Sequence, residues 1–122
     1  MGRPPKVPSN PQLHVLMETV ASMVRDEDTD FTARQLVVFL KSHLQPGVDH
    51  TVRGLAADLK ISKPAITRAV DKLEELSLAR REKDPADARS VIIKGTPAGQ
   101  AYVRKLIGFL NDANKKAAKA TR

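Results

Sequence analysis

The chain has 122 residues, enough for one domain with a small core, and with three Phe, one Tyr and no Trp that core is expected to be aliphatic. It has no cysteine, which excludes disulfides, thiolate metal sites and thiol redox sensing; no apolar run reaches the length of a membrane span or signal-peptide core, so a cytoplasmic protein with no membrane partner is expected. A net charge of +7 and a pI near 10.0 favour a polyanionic partner, with nucleic acid ahead of a membrane surface because no basic amphipathic helix stands out.

Residues 1–9, rich in proline and basic side chains and without apolar periodicity, are expected to form a flexible basic arm. A helix starts at Asn10 as N-cap with Pro11 in its first turn, and Leu13, Leu16, Met17, Val20, Met23 and Val24 form one apolar stripe before the acidic run DEDTD ends it. Thr32 and Gln35 make a capping box for a second helix that turns Leu36, Phe39, Leu40 and Leu44 inward and stops before Pro46-Gly47. Thr51 caps a third helix, VRGLAADL, with Val52, Leu55, Ala56 and Leu59 at helical spacing.

Ser62 caps a fourth helix, in which Pro64 falls harmlessly in the first turn. Its Ile66, Ala69, Val70, Leu73 and Leu76 point one way, and Lys63, Thr67, Arg68, Asp71 and Lys72 point the other. Two strands follow, Leu78–Lys83 and Ser90–Lys94, joined by a polar loop carrying Asp84, Asp87 and Arg89. Thr96-Pro97 then starts a long helix whose Val103, Leu106, Leu110, Ala113 and Ala117 line a seam. The folded domain is expected over residues 10–118, and residues 119–122 are expected to fray.

Helix, tight turn, helix, hairpin is the layout of a winged helix-turn-helix, so the fold class expected is mainly α with a two-stranded wing. The short turn Lys60-Ile61-Ser62 makes the fourth helix cross the third steeply and project its polar face, and a projecting helix fits the DNA major groove. The outward residues of its leading half, Ser62, Lys63, Thr67 and Arg68, are all hydrogen-bond donors, and the acids Glu74 and Glu75 come later.

The stretch from Thr51 to Gln100 resembles the DNA-binding core of the MarR family of bacterial transcription regulators. The likeness runs through Leu55-Ala56, Leu59, Ile61-Ser62, Thr67-Arg68, Leu73-Glu74, Leu78, Arg81, the D-x-x-D-x-R segment Asp84, Asp87, Arg89, and Thr96 with Gly99. It implies a homodimer, paired through compact helices at both termini around a DNA-binding core at 51–96, that represses transcription from pseudo-palindromic sites in duplex DNA. An unidentified small-molecule effector joins duplex DNA and a second copy as a candidate partner, and no cofactor is expected. The resemblance makes the loop a wing whose Arg89 enters the minor groove, and Asp87 is close enough in sequence to pair with and aim it. The DNA-binding set expected is Ser62, Lys63, Thr67, Arg68, Lys72, Arg81, Asp87 and Arg89.

Three positions depart from the family pattern. Lys60 and Ser77 stand where glycine is usual, so each is expected at positive φ, and Gly95 replaces the leucine that commonly precedes Thr96. The rival reading is a winged helix used as a protein-interaction module without DNA reading, which the basic face of the fourth helix opposes because a docking face is more apolar. An enzyme is not expected: His14, His43 and His50 are scattered, and neither a phosphate-binding glycine loop nor a nucleophile elbow is present.

Overall fold

The computed structural model describes Gly2 and residues 10–26, 29–45 and 47–120. The expected basic arm, apart from Gly2, and residues 121–122 of the expected tail lie outside the described residues. The elements are α1 (Pro11–Arg25), α2 (Ala33–Leu44), β1 (His50–Thr51), α3 (Val52–Leu59), α4 (Lys63–Glu75), β2 (Ala79–Asp84), β3 (Asp87–Gly95) and α5 (Pro97–Ala120). The caps read from the sequence form. Asn10 Oδ1 accepts from Leu13 N–H, Thr51 Oγ1 from Gly54 N–H and Ser62 Oγ from Ala65 N–H, and Thr32 and Gln35 make both bonds of the capping box.

The chain divides into two units, residues 1–30 with 105–122, and residues 31–104. In the first, Lys105 of α5 pairs with Asp26 at 3.2 Å and Lys116 with Glu18 at 3.4 Å, so the rising number on α5 meets the falling number on α1 and the two run antiparallel. Met23, Leu106, Ala113 and Ala117 are buried, together with Thr19, whose hydroxyl donates to the Val15 carbonyl. The apolar stripe expected on α1 is therefore split. Met23 turns in, but Leu13, Leu16, Met17, Val20 and Val24 are exposed, as are Ile107 and Leu110 on α5.

In the second unit α2, α3 and α4 enclose a core in which Val38, Phe39, Leu55, Ile66, Val70 and Leu73 are fully buried. Leu44, expected inward, is exposed, and Val38 takes the inward place one residue before Phe39. Few as the aromatics are, Phe31, Phe39 and Tyr102 gather with ring centroids 5.4 to 5.8 Å apart, stacked or edge-on. The sheet is antiparallel with order β1-β3-β2, so the expected two-stranded wing gains a third strand. That strand is only His50–Thr51, paired with Ile93 and Ile92, too short to leave an alternating pattern in the sequence.

Both residues standing where glycine is usual adopt left-handed backbone, Lys60 at φ 56° and Ser77 at φ 61°. At each, the chain reverses by helix-end bonds: Ile61 N–H to the Ala56 carbonyl at 3.1 Å, and Leu78 N–H to the Leu73 carbonyl at 2.8 Å. The strain is about 1 kcal/mol per site, tolerated because the turn fixes how α4 leaves α3 and how β2 leaves α4. Gly95 also acquires a reason. A side-chain carbon there would lie 2.7 Å from the His43 ring, and one at Gly99 would lie closer still and 2.5 Å from the Leu78 carbonyl.

Candidate nucleic-acid interface

α4 is amphipathic in the sense the sequence predicts. Ala65, Ile66, Ala69, Val70 and Leu73 are buried, whereas Ser62, Lys63, Thr67, Arg68 and Asp71 are exposed and Lys72 is half-buried. Ser62 is committed locally, because its hydroxyl accepts the Ala65 N–H at 3.2 Å and closes the first turn. Lys72 lies 3.8 Å from Glu75 one turn on, a weak surface pair that leaves its charge available.

Arg81 on β2 does not face outward. Its Nη1 donates to Glu74, its Nη2 donates to Asp71 and to the Thr67 carbonyl at 3.2 Å, and its backbone N–H reaches Glu74 Oε2 at 3.1 Å. Two carboxylates and a carbonyl therefore hold this guanidinium, which ties the first wing strand to the back half of α4. Glu74 and Asp71, two of the three acids of α4, are in turn neutralised there.

The hairpin is tighter than the sequence suggests. The strands reach Asp84 and restart at Asp87, with a register shift at Lys83/Asp84, so the connection is only Pro85-Ala86 and Arg89 lies on β3 rather than on a loop. Asp84 Oδ1 accepts the Ala86 N–H at 2.9 Å and closes the turn. Asp87 Oδ1 accepts the backbone N–H of Arg89 at 3.0 Å, and among the described residues no ion pair joins the two side chains. Asp87 thus fixes the backbone from which Arg89 projects instead of gripping its guanidinium.

A hollow of about 350 Å³ brings Lys63 and Thr67 of α4 together with Arg81, Asp87 and Arg89 of the hairpin and with Arg53 of α3. A second, of about 460 Å³, is lined by Ala65, Arg68 and Ala69 of α4 and by Thr32, Ala33, Arg34 and Gln35 at the start of α2. Six of the eight expected residues meet in or beside the first hollow if the Ser62 cap is counted; Arg68 belongs to the second, and Lys72 to neither. Arg34 and Arg53 were not singled out from the sequence. Each stands two residues after the threonine that caps its helix, Thr32 and Thr51, a position that points an arginine out of the first turn.

Several cations are committed to carboxylates. Lys41 pairs with Asp58 at 2.9 Å, Lys94 with Asp49 at 3.1 Å and Arg80 with Glu82 at 2.9 Å. Among the described residues Arg34, Arg53, Lys63, Arg68 and Arg89 enter no such pair and line the two hollows, while Lys60, Lys83, Arg104, Lys115 and Lys119, also without an ion pair, lie outside them. Among the described residues, too, no group of His, Asp or Glu could hold a metal ion, and no helix is long and apolar enough to cross a membrane.

Comparison with known proteins places this geometry. The sequence profile of the MarR family matches residues 27–90, more than half of the chain. No curated protein sequence matches. Solved structures similar to this chain include a transcriptional regulator from Thermotoga maritima, 23% identical, with a TM-score of 0.74 over 89% of this chain and 73% of that one. Another is S. aureus MepR in complex with DNA, 20% identical, with a TM-score of 0.71 over 89% and 88%. A third is Bordetella bronchiseptica BpsR, from work on the regulation of its DNA binding by 6-hydroxynicotinic acid, 22% identical, with a TM-score of 0.60 over 87% and 75%. At these identities the likeness is one of fold.

Proposed function

The chain belongs to the MarR family, and on that premise we propose that it is a transcriptional repressor that reads duplex DNA as a homodimer. In this reading α4 enters the major groove, the β2–β3 hairpin brings Arg89 to the neighbouring minor groove, and two copies engage the halves of a pseudo-palindromic site. The observation that carries it is a cluster of charge: five cations that line the hollows beside α4 and the hairpin lack protein partners, whereas two of the acids on α4, Asp71 and Glu74, are held by Arg81 and the third, Glu75, lies beside Lys72 at the end of the helix. Unpaired cations on and beside a projecting helix and a hairpin are what a polyanionic double helix requires.

The homodimer draws support from the exposed stripe Leu13, Leu16, Met17, Val20 and Val24 with Ile107 and Leu110. Large aliphatic side chains exposed in one register mark an interaction surface, and a second copy of the same stripe satisfies it by two-fold symmetry. A small-molecule effector fits the same reading, as the Bordetella protein is one whose DNA binding is regulated in that way. The test is selection of duplexes from a random pool by the purified protein, followed by footprinting. The expected result is an enriched sequence with two related half-sites about 10 to 10.5 bp apart, or a multiple of that spacing. A pool that emerges without enrichment would overturn the reading.

A further inference from the structure

The two hollows lie on opposite flanks of α4. At about 100° per residue, Lys63 and Thr67 fall on one side of its exposed face and Arg68 on the other, next to the buried Ala65 and Ala69. Each hollow also receives an arginine from a different helix, Arg53 of α3 on the hairpin side and Arg34 of α2 on the far side. Neither arginine has an ion-pair partner among the described residues. The one carboxylate lining either hollow, Asp87, gives one oxygen to the Arg89 backbone N–H and is outnumbered there by Arg53, Lys63, Arg81 and Arg89.

A helix seated in a major groove about 12 Å wide has a phosphate backbone along each flank, because the two strands are the walls of the groove. On the side of the hairpin, that wall is also the ridge between the major groove and the minor groove. The hollow between Lys63 and Arg89 is where this ridge must pass if both elements are engaged. Resting on the DNA-reading function above, we propose that Arg53 and Arg34 are phosphate-binding residues, one for each wall of the groove that α4 enters. Arg53, with Lys63, seats the backbone between α4 and the hairpin; Arg34 seats the opposite backbone beside Arg68.

The guanidinium fork suits this task, since it meets two oxygens of one phosphate in a fixed plane. Both arginines sit on helices packed into the same core as α4, so they fix its depth and register in the groove without reading a base. Arg68 and Thr67, nearer the middle of the exposed face, are left to meet base edges.

The experiment measures binding of the parent, Arg53→Gln, Arg34→Gln, Arg53→Lys and Arg34→Lys to two duplexes: one selected by the parent from a random pool, and a scrambled duplex of the same composition. Salt is varied, and thermal unfolding confirms that each variant is folded. Each glutamine variant should weaken binding by the same factor on both duplexes. Each should also lower the slope of log affinity against log salt by about 0.9 per phosphate contact, hence by about twice that in a dimer. The lysine variants should recover most of the slope. If the parent binds and the glutamine variants keep its affinity and slope, the clamp falls and the DNA reading stands; a loss confined to the selected duplex would equally sink it, by making these residues base readers. If the parent itself retains neither duplex, the DNA reading falls and the clamp with it.

Discussion

His43 donates from Nε2 to the backbone carbonyl of Leu78 at 2.9 Å, with its ring centroid 4.6 Å from that of Phe39. The carbonyl can only accept, so the proton is on Nε2. The imidazole fills the space over Gly95 and Gly99, and one side chain of α2 thereby meets the end of β3, the start of α5 and the residue leading into β2.

Gly99→Ala should destabilise the protein by about 1 to 3 kcal/mol, because its new carbon meets both the ring and the Leu78 carbonyl, and backbone cannot turn aside. Gly95→Ala meets only the ring. Adding His43→Ala should therefore relieve Gly95→Ala and not Gly99→Ala, a contrast that denaturation of the three single variants, the two double variants and the parent resolves. Equal relief at both glycines would contradict this assignment.

Arg81→Ala should act on stability before it acts on binding. Two carboxylates and a carbonyl lose their donor, and β2 loses its tie to α4, at a cost of about 1 to 2 kcal/mol after allowing for partial solvent exposure. Denaturant midpoints would show it. A variant as stable as the parent but weaker on DNA would return Arg81 to the set of direct contacts.

The fold was legible wherever a local rule decided it. Asn10, Thr32, Thr51, Ser62 and Thr96 are caps in sequence and in structure, and Lys60 and Ser77 take the left-handed backbone expected where glycine is usual. What was not legible depended on partners distant in sequence. Nothing near Arg81 says that Asp71 and Glu74 will enclose it, since helix and strand must first be brought together. The split of the α1 stripe was hidden for a related reason: periodicity marks an apolar face, and it cannot say whether the same chain or another covers it. Asp87 was placed correctly near Arg89, but the shorter bond to the backbone N–H wins over the longer reach to the guanidinium.

That split gives a sharper test of assembly. Leu106 is 7% exposed and Leu110 41%, so a charge at Leu106 would damage the fold whereas one at Leu110 meets the surface. Leu16→Asp combined with Leu110→Asp should yield folded monomers, because buried unpaired carboxylates at a two-fold interface are strongly unfavourable. Light scattering that still reports dimers for this folded variant would place the interface elsewhere.

His50 predicts a pH dependence. Its Nε2 is buried without a hydrogen-bond partner, and burial, reinforced by the nearby Lys41 charge, holds its pKa below the ordinary 6.5 against the opposing pull of Asp58 and Asp49. The unfolded chain therefore takes up a proton first as the pH falls. The stability due to His50 is complete above pH 6.5 and is lost as the pH drops through that value towards the lower folded one. Thermal unfolding of the parent should weaken between about pH 7 and about pH 5 by more than that of His50→Gln. Identical pH profiles would remove His50 from this role.

Sequence reading by α4 turns on Arg68, an unpaired cation on the exposed face in the leading half of the helix. The measurement is the affinity of the parent and of Arg68→Ala, at one salt concentration, for the selected duplex and for single-base variants across each half-site. Arg68→Ala should cost about 1 to 3 kcal/mol on the selected duplex and flatten discrimination at one position of each half-site, leaving the others intact. A parent that binds every duplex with the same affinity, or an Arg68→Ala protein that keeps the full discrimination of the parent at every position, would contradict it.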